Sequence, residues 1–132
     1  MSDATLAVYN KLTALAGSDV QAIYAMSLPA DAVFPCLVYS QIFGGDGRAV
    51  SGGNDTYRYR FQIDIYHSVF ADLLDLRATL LAGLHRWSVD GTVYDTRIDM
   101  DLPYTVDELD TGLPNMFRHT IDISIEIAYS AV

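Results

Sequence analysis

At 132 residues, half of them hydrophobic, the chain reads as one globular domain long enough to bury a core unaided. A net charge of −9, from 17 acidic side chains against seven Arg and one Lys, argues against a protein that grips nucleic acid through its phosphates, which takes clustered basic side chains. Cys36 stands alone, so no disulfide forms within the chain. The apolar runs fall short of the ~18 residues of a membrane helix and the start lacks signal-peptide order, which reads as a soluble protein made in a cytoplasm.

In chain order, residues 3 to 16 predict an amphipathic helix, with Leu6, Tyr9, Leu12, Leu15 and Ala16 at helical spacing. Ser2 or Asp3 caps its start and Gly17 ends it. Val20 to Met26 reads as a short extended link, followed by a loop punctuated by Pro29 and Pro35. Cys36 to Phe43 is the first strand, apolar on both faces in places, as a central strand is. Tyr57 to Tyr66 alternates most cleanly, with Tyr57, Tyr59, Phe61, Ile63 and Ile65 on one side and Arg58, Arg60, Gln62 and Asp64 on the other. A period of two puts one face on a core and the other in water. A second helix spans about Val69 to Trp87, with Ser68 as its N-cap and a stripe of Phe70, Leu73, Leu74, Leu76, Leu80, Leu81 and Leu84. Val93 to Leu102 alternates again, with Tyr94, Ile98, Met100 and Leu102 inward and Asp95, Arg97, Asp99 and Asp101 outward. His119 to Tyr129 sets its isoleucines opposite Asp122, Ser124 and Glu126. This order predicts an α+β fold: an antiparallel or mixed sheet of about four strands with two helices packed on one face.

Between the first two strands lies FGGDGRAVSGGND, residues 43 to 55. Gly47 to Gly52 has the spacing of a phosphate-binding loop, but Gly53 and Asn54 stand where the lysine and hydroxyl belong, and a strand follows instead of a helix. Fragments of a calcium-binding nonapeptide repeat are present too, yet such repeats bind only as stacked tandem copies. Asp99-Met100-Asp101 lacks the glycine and closing glutamate of an EF-hand. His67, His85 and His119 have no metal-ligand spacing and read as surface or helix-end histidines, while Cys36 reads as a small core residue. No residue pattern calls for catalysis, a cofactor or a metal. The glycine stretch reads as a long loop, mobile in an isolated subunit and ordered on docking, with Arg48 and Val50 as its docking side chains.

Three stretches carry a family resemblance: Pro35-Cys36-Leu37-Val38-Tyr39 before the glycines, Phe61-Gln62-Ile63-Asp64-Ile65-Tyr66 running into a helix, and Phe117-Arg118-His119-Thr120-Ile121-Asp122-Ile123 after an acidic segment. Together they resemble the tail-completion or tail-terminator family of long-tailed phages and gene-transfer agents, over nearly the whole chain. The resemblance implies a structural virion protein and not an enzyme, with residues 1–132 as a single tail-terminator-like domain. It further implies assembly in the host cytoplasm as a six-membered ring on the head-proximal end of the tail tube. There the ring ends tube polymerisation and joins the tail to the head connector. The tail tube protein and the connector or stopper are the implied partners, and DNA passes through the ring without specific binding.

On that reading the wet strand faces supply a candidate channel surface. Asp64, Asp95, Asp99, Asp101, Asp122 and Glu126 stand there against Arg58, Arg60 and Arg97, six negative against three positive, which would repel DNA. The candidate interface with a neighbour or the tube comprises Gly44, Gly45, Gly47, Arg48, Val50, Gly52, Gly53, Arg58 and Arg60, its arginines matched to a neighbour's carboxylates. A sheet of this kind leaves two edges exposed, and no proline lies inside any of the four predicted strands to protect them. Two alternatives remain: another neck or head-closure ring protein of the same particle, or a small-molecule enzyme on a ferredoxin-like sandwich. The enzyme requires a pocket with convergent polar groups.

Overall fold

The computed structural model describes residues 3–48, 55–88, 93–106 and 116–128. Helix α1 (Asp3–Ala16) leads into a four-residue strand β1 (Ala22–Ala25), then β2 (Cys36–Arg48), β3 (Asp55–His67), helix α2 (Phe70–Leu84), β4 (Val93–Val106) and β5 (Phe117–Ala128). The sheet has the order β1-β2-β3-β5-β4, with β1 parallel to β2 and every other neighbour antiparallel. It is the expected α+β fold with a mixed sheet, though with five strands instead of about four. The fifth is the Val20–Met26 link, whose Ala22–Ala25 pairs with Cys36–Tyr39.

Alternation in β3 sets the layers. Phe61, Ile63 and Ile65 are fully buried on the helix side, opposite Ile123, Ile121 and His119 of β5 and Gln41, Tyr39 and Leu37 of β2. Leu73, Leu76, Leu80 and Leu84 of α2 close over them, spaced three or four apart as one helix face requires. α1 contributes Val8, Leu12 and Ala16, a stripe rotated from the expected one, and leaves Leu6 and Tyr9 exposed. Apolar residues sit all round that helix, so packing against α2 and the sheet, not spacing alone, selects the buried row. The chain leaves α1 at Gly17, whose amide donates to the Thr13 carbonyl. A Cβ there would lie 2.5 Å from that oxygen.

α2 starts at Phe70 with Val69, not Ser68, in the N-cap position. The Val69 amide donates to Nδ1 of His67 at 3.0 Å. The opposite sheet face is not wholly wet. At its β1 end Cys36, Val38, Tyr66 and Met116 form a second small core, covered by Leu28 and Phe34. Burial pushes the Cys36 thiol up to about 12, so it remains a neutral packing group at physiological pH.

The glycine segment is the largest departure. Gly44, Gly45, Gly47 and Arg48 continue β2 as a regular ladder, opposite Tyr59, Arg58, Thr56 and Asp55. Ladder hydrogen bonds need only backbone, and the β-forming residues Thr56, Tyr57 and Tyr59 across the ladder offset the weak strand preference of glycine. Val50, Gly52 and Gly53 lie outside the described residues.

Two outcomes follow from this packing. Ile123→Ala, at the centre of the buried β5 row, should cost about 2–5 kcal/mol in a denaturant melt. Cys36 should resist a thiol reagent in the folded protein and react once denaturant is added.

Candidate functional site

The sheet face turned away from the helices carries the even-numbered residues of β3 and β5. Adjacent strands lie about 4.8 Å apart, so charged side chains on neighbouring strands meet directly. Arg58 Nη2 donates to Glu126 Oε1 at 3.1 Å, its direct cross-strand neighbour. Arg60 reaches Asp122 Oδ2 at 3.4 Å and lies 3.6 Å from Asp99 Oδ2. Arg97 donates to Asp99 at 3.3 Å, and Ser124 Oγ donates to the same carboxylate. Asp64 is the most enclosed acid. It accepts from Arg118 at 3.2 Å, Thr120 at 2.6 Å and Gln62 at 3.2 Å, while the Arg118 guanidinium lies 5.7 Å from the centre of the Tyr66 ring.

This face is therefore a paired lattice and not a free acidic surface. Asp64 is 6% exposed and Asp122 7%. Burial pushes the Asp122 carboxyl up; Arg60 opposes that, and Asp64 and Asp99 add to it. Four arginines, Arg58, Arg60, Arg97 and Arg118, meet four carboxylates, Asp64, Asp99, Asp122 and Glu126. Asp95 stands opposite Glu126 in the register. A cleft of about 350 Å³ opens beside the lattice under Met26 and Leu28, but its polar floor of Gln62, Asp64 and Arg118 is already engaged with itself. Among the described residues, no group of three His, Cys, Asp or Glu side chains is placed to hold a metal ion.

The family model for tail completion protein gp17 matches residues 4–127. The chain belongs to that family. It is accordingly a structural protein of a phage-type tail. A chain from the virion of a native gene transfer agent particle shares the fold, with a TM-score of 0.57 at 16% identity, over 92% of this chain and 91% of that one. Comparison with curated proteins gives no match.

Within this family member, Asp101 is the candidate acid, among those with described side chains, that leaves the lattice. A register shift between Ile98 and Met100 makes Asp99 a bulge, and the residues after it change sides: Met100 faces Asp122, and Asp101 faces Ile121 on the helix side. Asp101 there accepts a two-pronged contact from Arg77 of α2 and meets Nε2 of His119, a histidine 3% exposed and not on the surface as expected. Burial pushes the Asp101 carboxyl up, but the hydrogen bonds and charges of Arg77 and His119 outweigh it and hold the group below the usual carboxylate range. The expected inward set of β4 fails for the same reason, since strict alternation ends at the bulge.

Sequence reasoning misses Arg118, Thr120 and Arg77. Arg118 and Thr120 had a signal: they continue the even-numbered row of Asp122 toward the start of the strand, which begins at Phe117 and not at His119. Arg77 had none, because its partner arrives only through the bulge.

The depressed Asp101 carboxyl stabilises the fold above its unfolded pKa, and that contribution is lost as pH falls through its folded value. Asp101→Asn should therefore lower stability near neutrality by about 1–3 kcal/mol, for loss of a charged hydrogen-bonded pair. Urea melts across pH should show the two proteins converging in acid.

Proposed function

We propose that the protein assembles as a six-membered ring on the head-proximal end of the tail tube, ends tube polymerisation and joins the tail to the head connector. The observation that carries this reading is the extent of the tail-completion match, residues 4–127, which leaves almost nothing of the chain for another role. Its partners are then further copies of itself, the tail tube protein and the connector.

The lattice on the open sheet face supports passage of DNA without capture. Phosphate binding needs cations free to replace counterions, and Arg58, Arg60, Arg97 and Arg118 are each held by a carboxylate. If Asp64, Asp95, Asp99, Asp122 and Glu126 line the bore, DNA meets a surface whose positive charge is already matched. The β2–β3 hairpin, with Gly44, Gly45, Gly47 and Arg48 in its outer half, is the element proposed to reach a neighbour or the tube. Arg58 and Arg60 enter such a contact only by exchanging partners, so Arg48 is the first arginine to test.

Particles produced without this chain should carry overlong tails that fail to join heads, as measured by electron microscopy of tail length. Tails of normal length joined to heads would contradict the proposal.

A further inference from the structure

We infer that the outer half of β2 receives an extended segment of a different protein as an added strand, a segment apolar at alternate positions and basic in net charge. The inference deepens the assembly reading above, since it names how a partner in the particle is gripped.

β1 accompanies β2 only through Tyr39, whose carbonyl accepts from the Met26 amide at 2.8 Å. Met26 then takes a left-handed φ of 76° and the chain turns away. From Ser40 to Arg48, β2 pairs with β3 on one side, and among the described residues no strand lies on the other. Backbone groups two residues apart along a strand point the same way. The amide and carbonyl of Gln41 therefore face the lane that β1 has left, as the Tyr39 carbonyl faces β1 itself. Such an edge is a template for another strand.

A second, independent observation marks the same corner. Leu6, Tyr9, Met26 and Ile42, four of the seven exposed large hydrophobics among the described residues, gather there. The Tyr9 ring lies 6.1 Å from that of Tyr39, and Leu6 is one turn earlier on the same face of α1. Met26 stands at the bend and is 71% exposed, while Ile42 is the residue left over at the bulge between Gln41 and Phe43. Ile23 of β1 packs into the core on the helix side, so the vacated lane continues alongside α1. A strand laid in it sets every second side chain against Leu6 and Tyr9. Apolar surface gathered at an open edge marks an interaction site, where the same residues scattered singly would not.

Another copy of the chain does not fit this lane. Its β4 edge is closed at the centre, where the Arg86 amide donates to the Thr96 carbonyl at 3.0 Å and Thr96 is fully buried. Elsewhere β4 is broken by register shifts and by Pro103, a proline inside the observed strand although the predicted strands hold none. Two β2 edges pair only about a two-fold axis, which closes at two copies and sets a charge of −9 against another of −9. The same charge draws in a basic segment. A different protein of the particle, of that chemistry, is the occupant.

The test uses assembled particles. With Ile42 replaced by the photo-cross-linker benzoylphenylalanine, illumination should join the chain to one segment of another virion protein. Mass spectrometry of the joined peptide should show alternating apolar residues and an excess of Lys and Arg. Hydrogen exchange on the unaltered protein gives an independent reading: the Gln41 amide should slow by about tenfold or more on assembly, while that of Ser40, already turned to β3, changes little. Leu6→Lys with Met26→Lys, both at exposed positions, should keep the melting temperature and lower the cross-link yield about tenfold. Cross-links only to a second copy, an unchanged yield in the double variant, or no protection at Gln41 would each overturn the inference. Six copies per particle without that protection would leave the ring reading intact, and protection with another copy number would do the reverse.

Discussion

Strand β3 lies between β2 and β5, and its period of two decides what each face of the protein is. Phe61, Ile63 and Ile65 point to the helices and form the centre of the core, while Arg58, Arg60 and Asp64 point the other way and organise the charged lattice. A slip of one residue would bury the arginines under α2 and expose the isoleucines, so the buried row fixes the register. The ion pairs that β3 makes on the open face inherit that register, because their partners sit opposite or diagonal on β5, or beyond it on β4.

The lattice has a cost and a use. Burying Asp64 and Asp122 among strands is unfavourable unless each keeps charged or hydrogen-bonding neighbours. Asp64 has three donors, which hold it firmly. Asp122 has one arginine and two nearby carboxylates, and burial raises its pKa. The face is close to neutral among its described side chains, so the acidic excess of the chain lies partly elsewhere. Asp19, Asp72 and Asp75 line a cleft with His67 on the helix side. A protein strongly acidic overall can thus hold a surface whose described cations and anions are matched in pairs.

Helix positions, the three alternating strands and the layer arrangement were legible because each rests on a local period, as in Phe61-Ile63-Ile65 or Leu73-Leu76-Leu80-Leu84. β1 reads in the sequence only as an extended link, since four residues carry too little pattern to declare a strand. The glycine run reads as a loop because glycine has weak strand preference, whereas the partner strand across the ladder carries the β-forming residues Thr56, Tyr57 and Tyr59. Alternation alone puts Asp101 on the open face, but a bulge shifts it by one, and nothing in Ile98-Asp99-Met100 announces that bulge. Arg58 and Arg60 were legible as exposed charges, but their pairing with Glu126 and Asp122 depends on β5 lying beside β3, a matter of topology.

If, as proposed, this family member ends the tube as a ring, each tail carries a fixed number of copies. Quantitative mass spectrometry of purified tails of differing length, normalised to the tube protein, measures it directly. The account predicts six copies in every tail whatever its length. A copy number that rises with tail length would make the chain a repeating constituent of the tube and contradict it.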